Sequence, residues 1–155
     1  MYNWLMALAA IALLSLLPQA VGLPGSLTIE TGQARARAEG MRAEEGALLA
    51  YARVNAGAAG VIPPADLTMP VPFNIPYGTV AAIGTAAGNR MAVVYCNDPR
   101  LLPGAVADAL VGLSDNAADA GVVVGGRVSS PQGALAEVPA IVPNGVAAIA
   151  EVVTP

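Results

Sequence analysis

Side chains able to do chemistry are scarce in this chain, and the first to weigh is the run Asp115-Asn116-Ala117-Ala118-Asp119. Two carboxylates and an amide within five positions could face a hard cation. A calcium loop also needs glycine at its sixth position and glutamate at its twelfth, and here those positions hold Ala120 and Gly126, so the run reads as an acidic surface loop. Asp108, Asp115 and Asp119 could supply a carboxylate pair for acid–base work, yet no pattern around them marks a cleft, and Asp beside helix ends commonly serves the local backbone. Gly125-Gly126 follows Val122-Val123-Val124 as in a phosphate loop, but the remaining glycines and the helix are missing, which predicts a bulge or bend in a strand. Ser114, Ser129 and Ser130 have no base to activate them. Cys96 ends an apolar run and reads as a small buried hydrophobe. The expectation is a protein with no catalytic residue, cofactor or metal: not an enzyme.

The inventory sharpens that exclusion. The 155 residues include no His and no Lys, and a single Cys. Without His there is no Ser-His-Asp or Cys-His pairing and no imidazole ligand; without Lys there is no Schiff base and no phosphate-loop lysine. One Cys cannot close an internal disulfide, so the redox compartment stays open. Seven Arg against eleven acidic residues give a net charge of −4 without a basic patch, which argues against nucleic-acid binding.

The elements that would position any site begin with an apolar one. Met1 to Leu27 carries no charged side chain, and Tyr2 to Val21 matches the roughly 20 helical residues needed to cross a bilayer. Trp4, Leu5, Leu8, Ile11, Leu13, Leu14, Leu16 and Leu17 are the expected anchor residues. A cleaved leader is the competing reading, with small residues around Pro18-Gln19-Ala20-Val21-Gly22, but its positive start is missing. Retention is the favoured reading. Arg35, Arg37 and Arg42 are interleaved with Glu39, Glu44 and Glu45, so charge alone does not set the topology.

Three segments follow: an anchor and break over 1–27, an amphipathic helix over 28–60 and a small domain over 61–155. Glu30 to about Gly57 is proline-free and places Ala34, Ala38, Met41, Leu48 and Ala52 on one stripe. Gly40 and Gly46 each cost this helix about 1 kcal/mol relative to Ala, so it needs tertiary support. Five prolines between Val61 and Pro76 predict an extended connector. Tyr77 to Thr85 and Arg90 to Cys96 read as a hairpin turning at Gly88-Asn89. Leu102, Val106, Leu110 and Leu113 mark a short helix opening near Pro103. Ala120 to Ser129 and Gly145 to Val153 are read as two more strands. The fold class is α+β: a transmembrane helix, a second helix, and a small antiparallel sheet domain with one short helix, a pilin-like layout.

The order of these elements resembles the PilM family of type IV and conjugative thin-pilus biogenesis proteins. The resemblance runs from Trp4 through Leu48-Leu49-Ala50-Tyr51-Ala52-Arg53, Gly60-Val61-Ile62-Pro63, Leu67-Thr68-Met69-Pro70 and Ala92-Val93-Val94-Tyr95. It continues through Leu102-Pro103-Gly104 to Ile141-Val142-Pro143-Asn144-Gly145-Val146. It implies a small, single-pass protein of the bacterial inner membrane with its C-terminal domain in the periplasm. The family's expected work lies in the pilus basal body or in pilin transport, among other pilus-assembly proteins; homo-oligomerisation is left open. The resemblance brings no catalytic residues.

The functional expectation is a membrane-anchored structural component acting by protein–protein contact. The alternatives are a secreted or periplasmic binding module released by leader cleavage, and a minor pilin or pseudopilin-like subunit. The prolines of Val61 to Pro76 pre-set an extended backbone and lower the entropy lost on binding, which makes Val71 and Phe73 the expected partner contacts. The same stretch reads equally well as a connector packed over the sheet.

Overall fold

A computed structural model describes residues 30–113, 120–130, 133 and 135–154. The expected anchor, Ser114 and the Asp115–Asp119 run lie outside these residues. The chain divides into two compact units, Met1–Gln33 and Ala34–Pro155, and the architecture below is that of the second. Among the described residues no helix is long and apolar enough to cross a membrane.

Among the described residues the fold is α+β, with two α-helices and one seven-stranded antiparallel sheet. Residues 30–54 are helical (α1), and the helix ends three residues before the expected stop, in a turn at Ala56–Gly57. The strands are β1 (Gly60–Ile62), β2 (Thr79–Ala86), β3 (Asn89–Cys96), β4 (Ala120–Val124), β5 (Arg127–Ser129), β6 (Leu135–Glu137) and β7 (Ala147–Val152), with α2 (Pro103–Leu113) between β3 and β4. Their order across the sheet is β1-β2-β3-β7-β4-β5-β6. The last strand in sequence is thus the middle one in space.

Three expectations need correction. Gly125-Gly126 is not a bulge: both residues have positive φ (59° and 76°), and they form the two-residue turn of a β4–β5 hairpin. A turn with two left-handed positions matches the natural twist of the strands it joins, and glycine takes it without strain. Ala120 to Ser129 is accordingly two strands. The β2–β3 turn is one residue earlier than expected, at Ala87–Gly88, with Asn89 paired to Ala86. Ala87, at φ 49°, takes the first left-handed position of that turn. The connector after α1 is also not wholly irregular: it opens as edge strand β1 and a 3-10 turn, Pro64–Asp66. Prolines just past β1 are a usual guard for an edge.

Both faces of the sheet are covered, which explains why β3 reads as the unbroken apolar run Met91 to Cys96 without strict alternation. On one face Ile83, Val94, Cys96, Ala147 and Ile149 meet the α1 stripe (Ala34, Ala38, Met41, Leu48, Ala52) and Val106 and Leu110 of α2. Every residue of the expected α1 stripe is buried, and Cys96 is buried as expected. On the other face Met91, Val93, Tyr95 and Ala148 meet Val123 and Val128 of the β4–β5 hairpin and Val138, Val142 and Val146. Leu102 departs from the expected stripe of α2: it precedes the helix and is exposed.

Candidate functional site

The proline-rich segment runs along α1 in the opposite direction. Asp66 and Thr68 border a groove of about 290 Å³ with Ala47, Tyr51, Val54 and Asn55. Pro70 and Phe73 border a second groove, of about 330 Å³, with Glu39, Arg42, Ala43 and Leu113. Pro76 then sits on Gly40, where a side-chain carbon would meet its ring. Leu67 is buried, and Met69 and Ile75 pack against the core, so these side chains fasten the segment. Val71 is 96% exposed, and Phe73, in the second groove, is 42% exposed. The segment is therefore a packed connector that leaves the two expected contact residues outside the core.

The far end of this segment enters a polar cluster that the sequence did not reveal. Arg37 of α1 donates to Asp98 Oδ2 at 3.1 Å, across 61 residues of sequence. Arg100 donates to the same carboxylate from Nε and Nη2, both at 2.9 Å, and from its backbone N–H at 3.1 Å. These hydrogen bonds from Arg100 hold the Asp98 carboxyl down to about 2. The Arg100 guanidinium also lies 4.8 Å from the centroid of the exposed Tyr77 ring, a cation–π contact. Gly78 permits this crowding, because a Cβ there would approach the Asp98 Cβ at 2.9 Å. An acidic residue placed two before an arginine was the available signal in the sequence.

A second buried acid lies nearer the middle of α1. Glu44 accepts from Thr79 Oγ1 at 2.6 Å, and the same hydroxyl lies 2.8 Å from the Pro76 carbonyl. Burial raises the Glu44 carboxyl above its ordinary value, against the lowering effect of the Thr79 hydrogen bond. Glu45, also buried, lies 3.7 Å from Arg42.

At the opposite end, Arg90 closes α1. Its guanidinium donates to the carbonyls of Ala52, Asn55 and Ala58 at 2.8, 2.8 and 2.9 Å. The last carbonyls of a helix have no partner within it and carry the negative end of its dipole, so a fixed cation is well placed there.

Asp108 is exposed on α2, and among the described residues no three acidic or sulfur side chains converge as a metal site would require. Ser130 is buried and Ser129 pairs with Leu135 in the sheet.

The PilM family's sequence model matches residues 19–149, most of the chain. The chain belongs to the PilM family, and that membership suggests a role related to pilus biogenesis, among pilus proteins. No curated protein and no solved structure shows a match to it.

Proposed function

We propose that this chain is a membrane-anchored structural component of a type IV or conjugative pilus assembly machine. It acts by protein–protein contact, in the basal body or in pilin transport, without catalysis. The observation that carries this reading is the family match over residues 19–149. The uncharged run from Met1 to Leu27 supports a single inner-membrane span with the sheet domain in the periplasm. The lack of His and Lys supports a non-catalytic role. Val71 and Phe73, projecting from a fastened segment, are the contact residues of this proposal: exposed apolar side chains on a pre-ordered backbone bind with little entropic loss.

The experiment is in-cell photo-crosslinking from position 73 of the full chain, combined with membrane fractionation and intact mass. Capture of a pilus-assembly protein by membrane-bound, full-length chain is the expected result. A soluble species beginning near Ala20 or later would replace this reading with that of a secreted module. A membrane-bound chain that crosslinks only at control positions would remove Val71 and Phe73 from the contact.

A further inference from the structure

We propose that the outward face of α1 pairs with the same face of a second copy of this chain, antiparallel, about a two-fold axis at Gly46. The buried stripe of α1 turns one side of the helix to the sheet. The opposite side carries Ala36, Glu39, Ala43, Gly46, Ala50 and Arg53, spaced alternately by three and four residues. That is the spacing of a seam along which one helix meets another. All of these are exposed except Ala43, which is half-buried. Nothing lies within 4 Å of where a Gly46 Cβ would stand. Val54, next to the end of the seam, is 84% exposed.

The charges on this face select a second copy as its occupant. Glu39 lies seven residues before Gly46, and Arg53 lies seven residues after it. Seven residues are nearly two helical turns, so the three stand in one row that drifts by only about 20° per step. A two-fold axis at Gly46 therefore sets Glu39 of each chain opposite the partner's Arg53, and the ion pair is made twice. Among the described residues Arg53 is the one arginine with neither an ion pair nor a hydrogen bond. Glu39 accepts from Arg35 through Oε1 at 3.1 Å, with both side chains substantially exposed. Such a surface pair is weak, and one carboxylate can serve two guanidinium groups, as Asp98 does for Arg37 and Arg100. Arg42, beside the row, is answered by Glu45. A parallel partner would instead set Glu39 on Glu39 and Arg53 on Arg53 and align the two helix dipoles. Between the charges, Ala43, Gly46 and Ala50 carry nothing beyond Cβ, which lets two helix axes approach to about 8 Å. The same pairing brings each Val54 within a turn of the partner's Ala36 and takes its exposed side chain out of water.

The test adds single cysteines to the full chain in cells under mild oxidation, with the parent, whose Cys96 is buried, as the blank. Gly46→Cys should crosslink to itself. Glu39→Cys and Arg53→Cys should each stay monomeric alone and form a mixed disulfide when co-expressed. In light scattering of the purified full chain, Glu39→Arg and Arg53→Glu should each weaken the dimer about tenfold. The two reversals together should return its affinity to within about threefold of the parent. A Gly46→Cys chain that stays monomeric overturns the proposal. Glu39→Cys crosslinking to itself as well as to Arg53→Cys overturns it too, and so does a double reversal that stays as weak as either single one. These readouts stand apart from the contact at Val71 and Phe73 and from the membrane anchor, so the pairing can fail while that reading holds.

Discussion

Gly40 of α1 and Pro76 meet so closely that no methyl group fits between them. This contact turns an apparent weakness of the helix into a docking point, and it separates two glycines that look alike in sequence. Gly46, six residues on, has nothing within 4 Å of where its Cβ would stand. Gly46→Ala should stabilise the protein by about 0.5–1 kcal/mol through helix propensity. Gly40→Ala should destabilise it despite the same propensity gain, because the Pro76 ring must move. Urea titrations of the two variants check the opposite signs.

Arg90→Met should cost about 2 kcal/mol, since the carbonyls of Ala52 in the last turn of α1 and of Asn55 and Ala58 just beyond it lose a charged donor together. Arg90→Lys should recover only part of the loss, because one ammonium cannot match the fork of a guanidinium. Thermal melts of the two variants, read beside the parent, test the ranking.

Glu44 and Asp98 impose opposite pH dependences. Burial raises Glu44 in the folded state above its ordinary 4.5, so the folded protein holds that proton more tightly than the unfolded chain does. Its contribution is full below 4.5 and fades as pH rises through the folded value. Asp98 is held down from 3.8 to about 2, so its contribution is full above 3.8 and is lost as pH falls towards 2. Glu44→Gln should therefore gain on the parent as pH is raised from 4.5 towards neutrality and match it near pH 4. Asp98→Asn should lose the acid-side fall between 3.8 and 2. Melting temperature against pH for the three proteins measures both limbs.

Phe73→Ser should abolish pilus assembly in cells while lowering stability by less than about 1 kcal/mol, because the ring is 42% exposed and outside the core. Leu48→Ala, at a position with no exposure, should cost about 2–5 kcal/mol and serves as the core control. If melting of Phe73→Ser falls as far as that of Leu48→Ala, the contact proposal for Phe73 is wrong.

Much of the fold could be read in advance because it rests on local patterns. The spacing of Ala34, Ala38, Met41, Leu48 and Ala52 marked the buried side of α1, and Met91 to Cys96 marked a packed strand. Pro103 opened α2 where a missing N–H does no harm. Val71 and Phe73 were singled out from sequence and are exposed, but alternation does not explain this, since Leu67, Met69 and Ile75, which pack inward, share their odd positions. What escaped depends on distance along the chain. Nothing local tells that Arg37 reaches Asp98, that Arg90 reaches Ala52, or that Gly40 awaits Pro76. The Gly125–Gly126 turn was missed because two glycines after a valine run suit a bend and a hairpin alike; only the pairing of Val124 with Arg127 decides.

The central position of β7 governs the order in which the sheet can be assembled during synthesis. β3 pairs with β7 from Met91 to Cys96, and β4 pairs with it from Ala120 to Val122, while β3 and β4 do not pair with each other. As the chain leaves the ribosome, β1–β2–β3 and β4–β5–β6 can form only as two separate ribbons. The strand that joins them follows all the others in the chain, so the sheet closes only once β7 has been made. Until then, the inner edges of both ribbons present unpaired backbone, and the nascent chain depends on whatever keeps those edges apart from other strands.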